Sequence, residues 1–265
     1  RYISRPYYAV RPWLWNEPLS QLDVRSMVSR KYKYVYIRIP KSANSSVVRS
    51  LLSNFPEDGV DTVDIHRAKT SVVHLRDLAF HELRFVKSGA FIFSFVRNPF
   101  TRILSAYLDK FEGGAKMSVF GGAVAAHGGG KVSFPGFCRY LANGGEVENA
   151  HWMQQTRILG IAPRLDFIGQ QETLERDLQI VTQRIGLVSG RSVQDQGAVR
   201  DGPPATNAND RLLEYYSPEC IELVTRIYAD DFQKLGYRPE LEAALSGGSG
   251  AGSRMQAWGP SQTFA

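Results

Sequence analysis

Cysteine is nearly missing from this sequence: Cys138 and Cys220 are the only two among 265 residues, and they lie far apart in the chain. So sparse a set excludes a disulfide framework or a thiolate zinc site, and it makes a reducing compartment, the cytoplasm, the default. Long apolar runs are missing too. No stretch approaches the roughly 18 residues of a membrane-spanning helix, and no signal peptide opens the chain. Because the first residue is Arg1 and not Met, a lumenal fragment separated from an upstream anchor fits the same residues. A basic tract with interleaved aromatics, the mark of a nucleic-acid surface, is also missing, so no nucleic-acid partner is expected. Lys and Arg total 32 against 26 Asp and Glu, for a formal charge of +6; that surplus suits an anionic ligand without demanding one.

What is present is enough for one α/β domain with its own core. Residues 34–55, YVYIRIPKSANSSVVRSLLSNF, read as a strand, a tight polar loop and a helix. Tyr34 to Ile39 is β-branched and aromatic, Pro40 ends the run, and Val47, Val48, Leu51, Leu52 and Phe55 recur at helical spacing. Such a unit aims backbone N–H groups, a helix N-terminus and the ammonium of Lys41 at one place, which suits a phosphate. An ordinary strand-to-helix turn with a solvated lysine has the same local pattern. Residues 91–111, FIFSFVRNPFTRILSAYLDKF, repeat the plan: a strand ends at Arg97 and Pro99 starts a helix. The apolar face of that helix is Phe100, Ile103, Leu104, Tyr107, Leu108 and Phe111, and Ser105 lies off it.

Together IPKSANSS and FVRNPFTRILSAYLDKF resemble the two nucleotide signatures of the PAPS-dependent sulfotransferases, PAPS being 3′-phosphoadenosine-5′-phosphosulfate. The resemblance implies a P-loop-like α/β domain with a central parallel sheet flanked by helices. It further implies that Lys41, Ser42, Ala43, Asn44, Ser45 and Ser46 wrap the 5′-phosphosulfate and that Arg97 and Ser105 hold the 3′-phosphate. The co-substrate then leaves as 3′,5′-ADP, and no metal is expected. His151, Trp152 and Gln155, then Asp166 to Gly169, then Glu172, Thr173, Leu174 and Asp177 are similar to the HW-x-x-Q, D-F-I/V-G and E-T-L-x-x-D segments of the carbohydrate branch, sulfotransferase family 2. That branch implies a glycan or other hydroxyl compound as acceptor. The extra cysteines that eukaryotic glycan-sulfating members often carry after the HW segment do not occur here.

The rest of the chain organises around these stretches. Residues 1–30 read as an N-terminal arm with a short polar helix at Ser20–Ser29, residues 31–239 as the sulfotransferase domain, and 240–265 as a disordered tail. Val60–Ile65 is expected as a strand, Leu75–Phe85 as a helix, Phe134–Leu141 as a helix and Leu165–Ile168 as a strand. Ser217 is expected to cap one amphipathic helix running to Leu235. The Gly- and Ala-rich residues 113–131 and the segment 187–208 read as loops.

Sulfuryl transfer needs in-line positioning, a cation near the bridging oxygen and a base for the acceptor hydroxyl. Lys41 fits the cation. For the base, His66 is the first choice, placed by the expected strand at a carboxyl end beside the phosphate loops. His151 is the second, and the carboxylates Glu112 and Glu148 stay open. A P-loop kinase or NTPase would share the strand, loop and helix. However, IPKSANSS lacks the G-x-x-x-x-G-K-[ST] pattern, and the second strand ends in Arg97 where an acidic Mg²⁺ ligand would stand. A module that holds a nucleotide or glycan without turnover is the remaining alternative.

Overall fold

Among the described residues four strands build the sheet, side by side in the order β1 (Ser26–Ser29), β2 (Tyr34–Ile37), β3 (Phe91–Val96) and β4 (Phe167–Gln170). β2, β3 and β4 are parallel, and β1 runs antiparallel to β2. The computed structural model describes residues 5–61, 63–112, 131–191 and 207–245. Around the sheet lie α1 (Asn44–Asn54), α2 (Ile65–Ser71), α3 (Pro99–Tyr107), α4 (Phe134–Ala142) and α5 (Gln155–Leu159). They are followed by α6 (Leu174–Ser189), α7 (Pro218–Ile227), α8 (Ala229–Leu235) and α9 (Leu241–Leu245). The expected parallel sheet between helices is therefore present, with one antiparallel edge.

β2 and β3 are buried along their whole length, yet the two-residue period still sorts their side chains. Tyr34, Tyr36, Phe91, Phe93 and Phe95 point to one face, and Val35, Ile37, Ile92 and Val96 to the other. The aromatic face is covered by Val47, Val48, Leu51 and Leu52 of α1 and by Leu178, Val181 and Ile185 of α6. Gly169 of β4 is needed there, because a Cβ would sit 2.6 Å from the Phe95 ring. The aliphatic face receives Phe100, Ile103 and Leu104 of α3, backed by α4, α7 and α8.

Several expectations need correction. Ser20–Ser29 is a single helical turn, Leu19–Leu22, followed by β1, whose Met27 and Val28 pair opposite Tyr36 and Val35. The open edge of β2 recruits these residues as a strand, and Tyr7, Tyr8 and Leu14 of the arm pack into the core. Val60–Ile65 is not a strand. The Asp64 carboxylate accepts the backbone N–H groups of His66 and Arg67 at 2.8 and 3.3 Å and starts α2 there. Leu75–Phe85 breaks into the 3₁₀ turns Leu75–Asp77 and Phe80–Glu82. Asp77 and Glu82 bond back to the N–H groups of His74 and Ala79 at 2.9 and 2.8 Å, closing each turn on itself.

The strand expected at Leu165–Ile168 lies two residues later, and the helix at Phe134 forms as expected. The helix capped by Ser217 divides at Tyr228 (φ −104°, ψ 26°), whose ring is fully buried. α9 extends into the expected tail and buries Leu241, Ala243 and Ala244. The loop expected at 187–208 begins later than expected, because α6 runs on through Ser189 and ends at Gly190 (φ 72°); residues 192–206 of it, residues 113–130 of the other expected loop and residues 246–265 fall outside the described residues. Among the described residues no helix is long and apolar enough to cross a membrane.

Candidate functional site

The first loop leaves β2 through Arg38 and reaches α1 by placing two non-glycine residues in the left-handed region, Lys41 (φ 69°) and Ala43 (φ 54°). Each costs on the order of 1 kcal/mol, so the curl is held by its surroundings, a pattern found at functional sites. α1 then starts with no side-chain cap, and the Asn44 Oδ1 atom is buried without a partner among the described residues. The first-turn N–H groups of α1 are thereby left to an incoming oxygen. The second loop is firmly built. Asn98 Oδ1 caps α3 by accepting Phe100 N–H at 2.9 Å, and the Asn98 N–H donates to Glu172 at 2.7 Å.

Gln155 joins the two loops. Its Oε1 accepts the Ser42 hydroxyl at 3.2 Å and the Arg97 N–H at 3.0 Å, while its Nε2 donates to the Arg97 carbonyl at 2.8 Å. The carboxylate of Asp231, fully buried, fixes Gln155 in turn by accepting the N–H groups of Gln155 and Thr156 at 2.8 and 2.9 Å. Arg97 spends its guanidinium on three neighbours: Nε on Thr101 Oγ1 (2.9 Å), Nη1 on the Lys41 carbonyl (3.3 Å) and Nη2 on Asn209 Oδ1 (2.7 Å). Ser105, buried one helical turn beyond Thr101, shares that face of α3. Lys41, Ser42 and Arg97 are therefore in one place, as the sequence reading requires.

Cations the sequence reading passed over converge on the same place. Lys69 of α2 donates to Ser45 Oγ at 2.7 Å. Burial draws its ammonium down to about 8, and Arg38, Arg25, Arg49 and Lys41 push the same way. Burial is also the main reason that Arg25, Arg38 and Arg97 each fall to about 10. Lys41 is lowered by burial and partly restored by Asp109, whose Oδ2 lies 3.3 Å from Lys41 Nζ and 2.8 Å from Lys110 Nζ. Arg38 carried one sequence signal, a charge inside an otherwise apolar strand; Lys69 carried none.

The histidines are redistributed. His66 is exposed on the first turn of α2, one turn before Lys69, and the strand that recommended it does not exist. His151 is half-buried, with Nδ1 2.7 Å from Asn149 Oδ1. An amide oxygen only accepts, so Nδ1 bears the proton and Nε2 keeps its lone pair. Burial, then Lys110, Arg25 and Lys41, lower His151 to about 3. His74, not weighed from the sequence, is buried with Nδ1 2.6 Å from the Ser26 carbonyl and is lowered mainly by burial. Glu112 is held by Arg211 and Tyr215, and Glu148 accepts the Tyr140 hydroxyl at 2.6 Å.

These shifts predict acid sensitivity. Between the ordinary histidine value, about 6.5, and the lowered ones, the folded protein binds fewer protons than the unfolded chain. Stability is then complete above about pH 6.5 and falls as pH is lowered, against the opposite pull of the raised carboxyls Glu146 and Asp231. The thermal midpoint should drop from about pH 7 to 5, and His151→Gln should flatten that drop.

A mostly parallel sheet whose strand ends carry an uncapped helix, two joined loops and a group of buried cations defines a P-loop-like α/β protein. The profile of the Sulfotransferase family matches residues 24–238, and the chain belongs to that family. It is 33% identical to carbohydrate sulfotransferase 14 of Homo sapiens over 183 residues, 62% of this chain and 48% of that protein. The Danio rerio carbohydrate sulfotransferase 14 is 33% identical over 179 residues, 60% and 48% of the two chains. Carbohydrate sulfotransferase 9 of Homo sapiens is 29% identical over 182 residues, 61% and 41%. The chain spans about half the length of the curated relatives it matches. No solved structure matches it.

Proposed function

We propose that this protein transfers a sulfuryl group from PAPS to an acceptor hydroxyl, with a carbohydrate as the favoured acceptor. The observation that carries this reading is Gln155, which ties Ser42 of the first loop to Arg97 of the second and so makes one site of the two phosphate stretches. PAPS supplies the sulfuryl group and a phosphate leaving group. The uncapped N–H groups of α1 and the side chains of Ser42 to Ser46 surround the 5′ end, Lys41 faces the bridging oxygen, and Arg97 with Ser105 receives the 3′-phosphate. His151 is the base. Its tautomer leaves Nε2 free, and nucleotide anions would offset Lys110, Arg25 and Lys41, restoring proton affinity to the imidazole when the site is filled.

Thermal shift with 3′,5′-ADP and with Mg·ATP, each with and without EDTA, tests the donor site. A stronger response to 3′,5′-ADP that survives EDTA is expected; a stronger response to Mg·ATP favours the kinase reading. A screen of pooled glycans, lipids and phenols with PAPS radiolabelled in its sulfate tests the transfer. Tight 3′,5′-ADP binding with no labelled acceptor in any pool favours the binding module. Gln155→Ala is expected to weaken 3′,5′-ADP binding roughly tenfold by calorimetry, through the loss of buried hydrogen bonds that join the loops. Loss of the acidic limb of the pH–rate profile in His151→Gln supports that base, and the same loss in His66→Asn reassigns it.

A further inference from the structure

Cys138 lies on α4 and Cys220 in the first turn of α7. The sequence separates them widely, but α4 packs on α7, and both residues are fully buried in the core on the aliphatic side of the sheet. The residues beside them hold the two helices in register: Arg139 Nε and Nη2 donate to Glu219 Oε1 and Oε2 at 2.7 and 2.8 Å. This bidentate pair spans the same helix contact. Arg139 and Glu219 directly adjoin Cys138 and Cys220, so their pairing brings the two thiols to the same helix contact. Ser217 Oγ also donates to Cys220 Sγ at 3.3 Å.

We propose that Cys138 and Cys220 are a modification site, closing to an intramolecular disulfide that staples α4 to α7 when the chain meets a small-molecule disulfide oxidant. Before the α4–α7 contact closes Cys220 is accessible, and its thiolate is the nucleophile. The Cys220 thiolate attacks one sulfur of the oxidant and displaces a thiolate. Cys138 then gives up its proton and attacks the Cys220 sulfur, expelling the second thiolate. Two protein thiols are oxidised to one disulfide, and the oxidant is reduced to two small thiols. Since both sulfurs are buried, exchange occurs before or while the α4–α7 contact closes. The staple does not depend on the proposed sulfuryl transfer. It acts on the helices that pack against α3, which follows Arg97 and carries Ser105.

The test is to refold the whole chain with oxidised glutathione, remove the glutathione and map its peptides without reduction. A peptide pair linked through Cys138 and Cys220, lighter than the two free peptides by two hydrogen atoms, is expected. The thermal midpoint should lie roughly 5–10 °C above that of the same protein after reduction. Cys138→Ala and Cys220→Ala should each lose this difference between oxidised and reduced samples. Recovery of both residues as free thiols after denaturing alkylation, as glutathione adducts, or as links between chains would overturn the proposal. The wild-type peptide map decides the matter even where the variants fold poorly.

Discussion

Replacing Lys41 by alanine is expected to lower kcat by roughly 10²–10³, the scale seen when one donor to a developing oxyanion is removed, while 3′,5′-ADP binding weakens far less. The side chain is only 17% exposed, so in the proposed transfer its charge would act through little water and grow in effect as the bridging oxygen gains negative charge. The pH dependence follows from the same surroundings. A cation that stabilises the leaving oxygen must be protonated, and burial lowers Lys41. Activity should therefore fade, as pH rises, earlier than an ordinary lysine would allow. Asp109→Asn removes the carboxylate that partly restores Lys41 and should move that alkaline limb lower still. Single-turnover transfer set beside calorimetric 3′,5′-ADP affinity checks the assignment. An equal fall in both would make Lys41 a binding residue with no special role at the bridging oxygen.

The second large effect is expected at Arg102, which is fully buried. Its Nε donates to the Pro40 carbonyl at 3.1 Å, Nη1 to Met153 at 2.8 Å and Nη2 to Ala150 at 3.2 Å. It thus ties α3 to the entrance of the first loop and to the segment around His151. Asp231 lies close enough to raise its pKa against the effect of burial. Arg102→Met keeps much of the volume but orphans three carbonyls and removes a positive charge that favours the Asp231 carboxylate. A loss of roughly 3 kcal/mol is expected, from three buried carbonyls left without a donor at about 1 kcal/mol or more each, with a thermal midpoint lower by about 10 °C. Urea unfolding measures it. A loss below about 1 kcal/mol would mean that the three carbonyls find other donors once Arg102 is removed.

Some site residues were legible because their signal is local. Lys41 follows a buried strand and precedes an apolar helix, Arg97 repeats that arrangement, and Pro99 marks where a helix starts. Gln155 was visible only as part of a motif; its role as the tie between loops depends on Ser42 and Arg97, more than fifty residues away in sequence. His66 was misplaced for a physical reason. The apolar alternation before it favoured a strand, but the Asp64 carboxylate satisfies two N–H groups at once and commits the chain to α2. The loop itself hid its shape, since the left-handed turns that glycine usually announces are made by Lys41 and Ala43.

The amino-acid sequence by itself determined the layered α/β plan: two-residue alternation in β2 and β3 and helical spacing in α1, α3 and α6 follow from backbone geometry and need no distant partner. It also placed the proposed phosphate-binding residues in two contiguous stretches, 40–46 and 97–105. Only the tertiary structure decided that Ser26–Ser29 becomes an edge strand, that Arg25, Arg38 and Lys41 come within electrostatic reach of Lys69, and that Cys138 and Cys220 share the α4–α7 contact. It likewise decided that His151, not His66, lies among those cations. These outcomes come from packing between segments far apart in the chain, where local propensity contributes almost nothing and burial of apolar faces chooses which side chains meet.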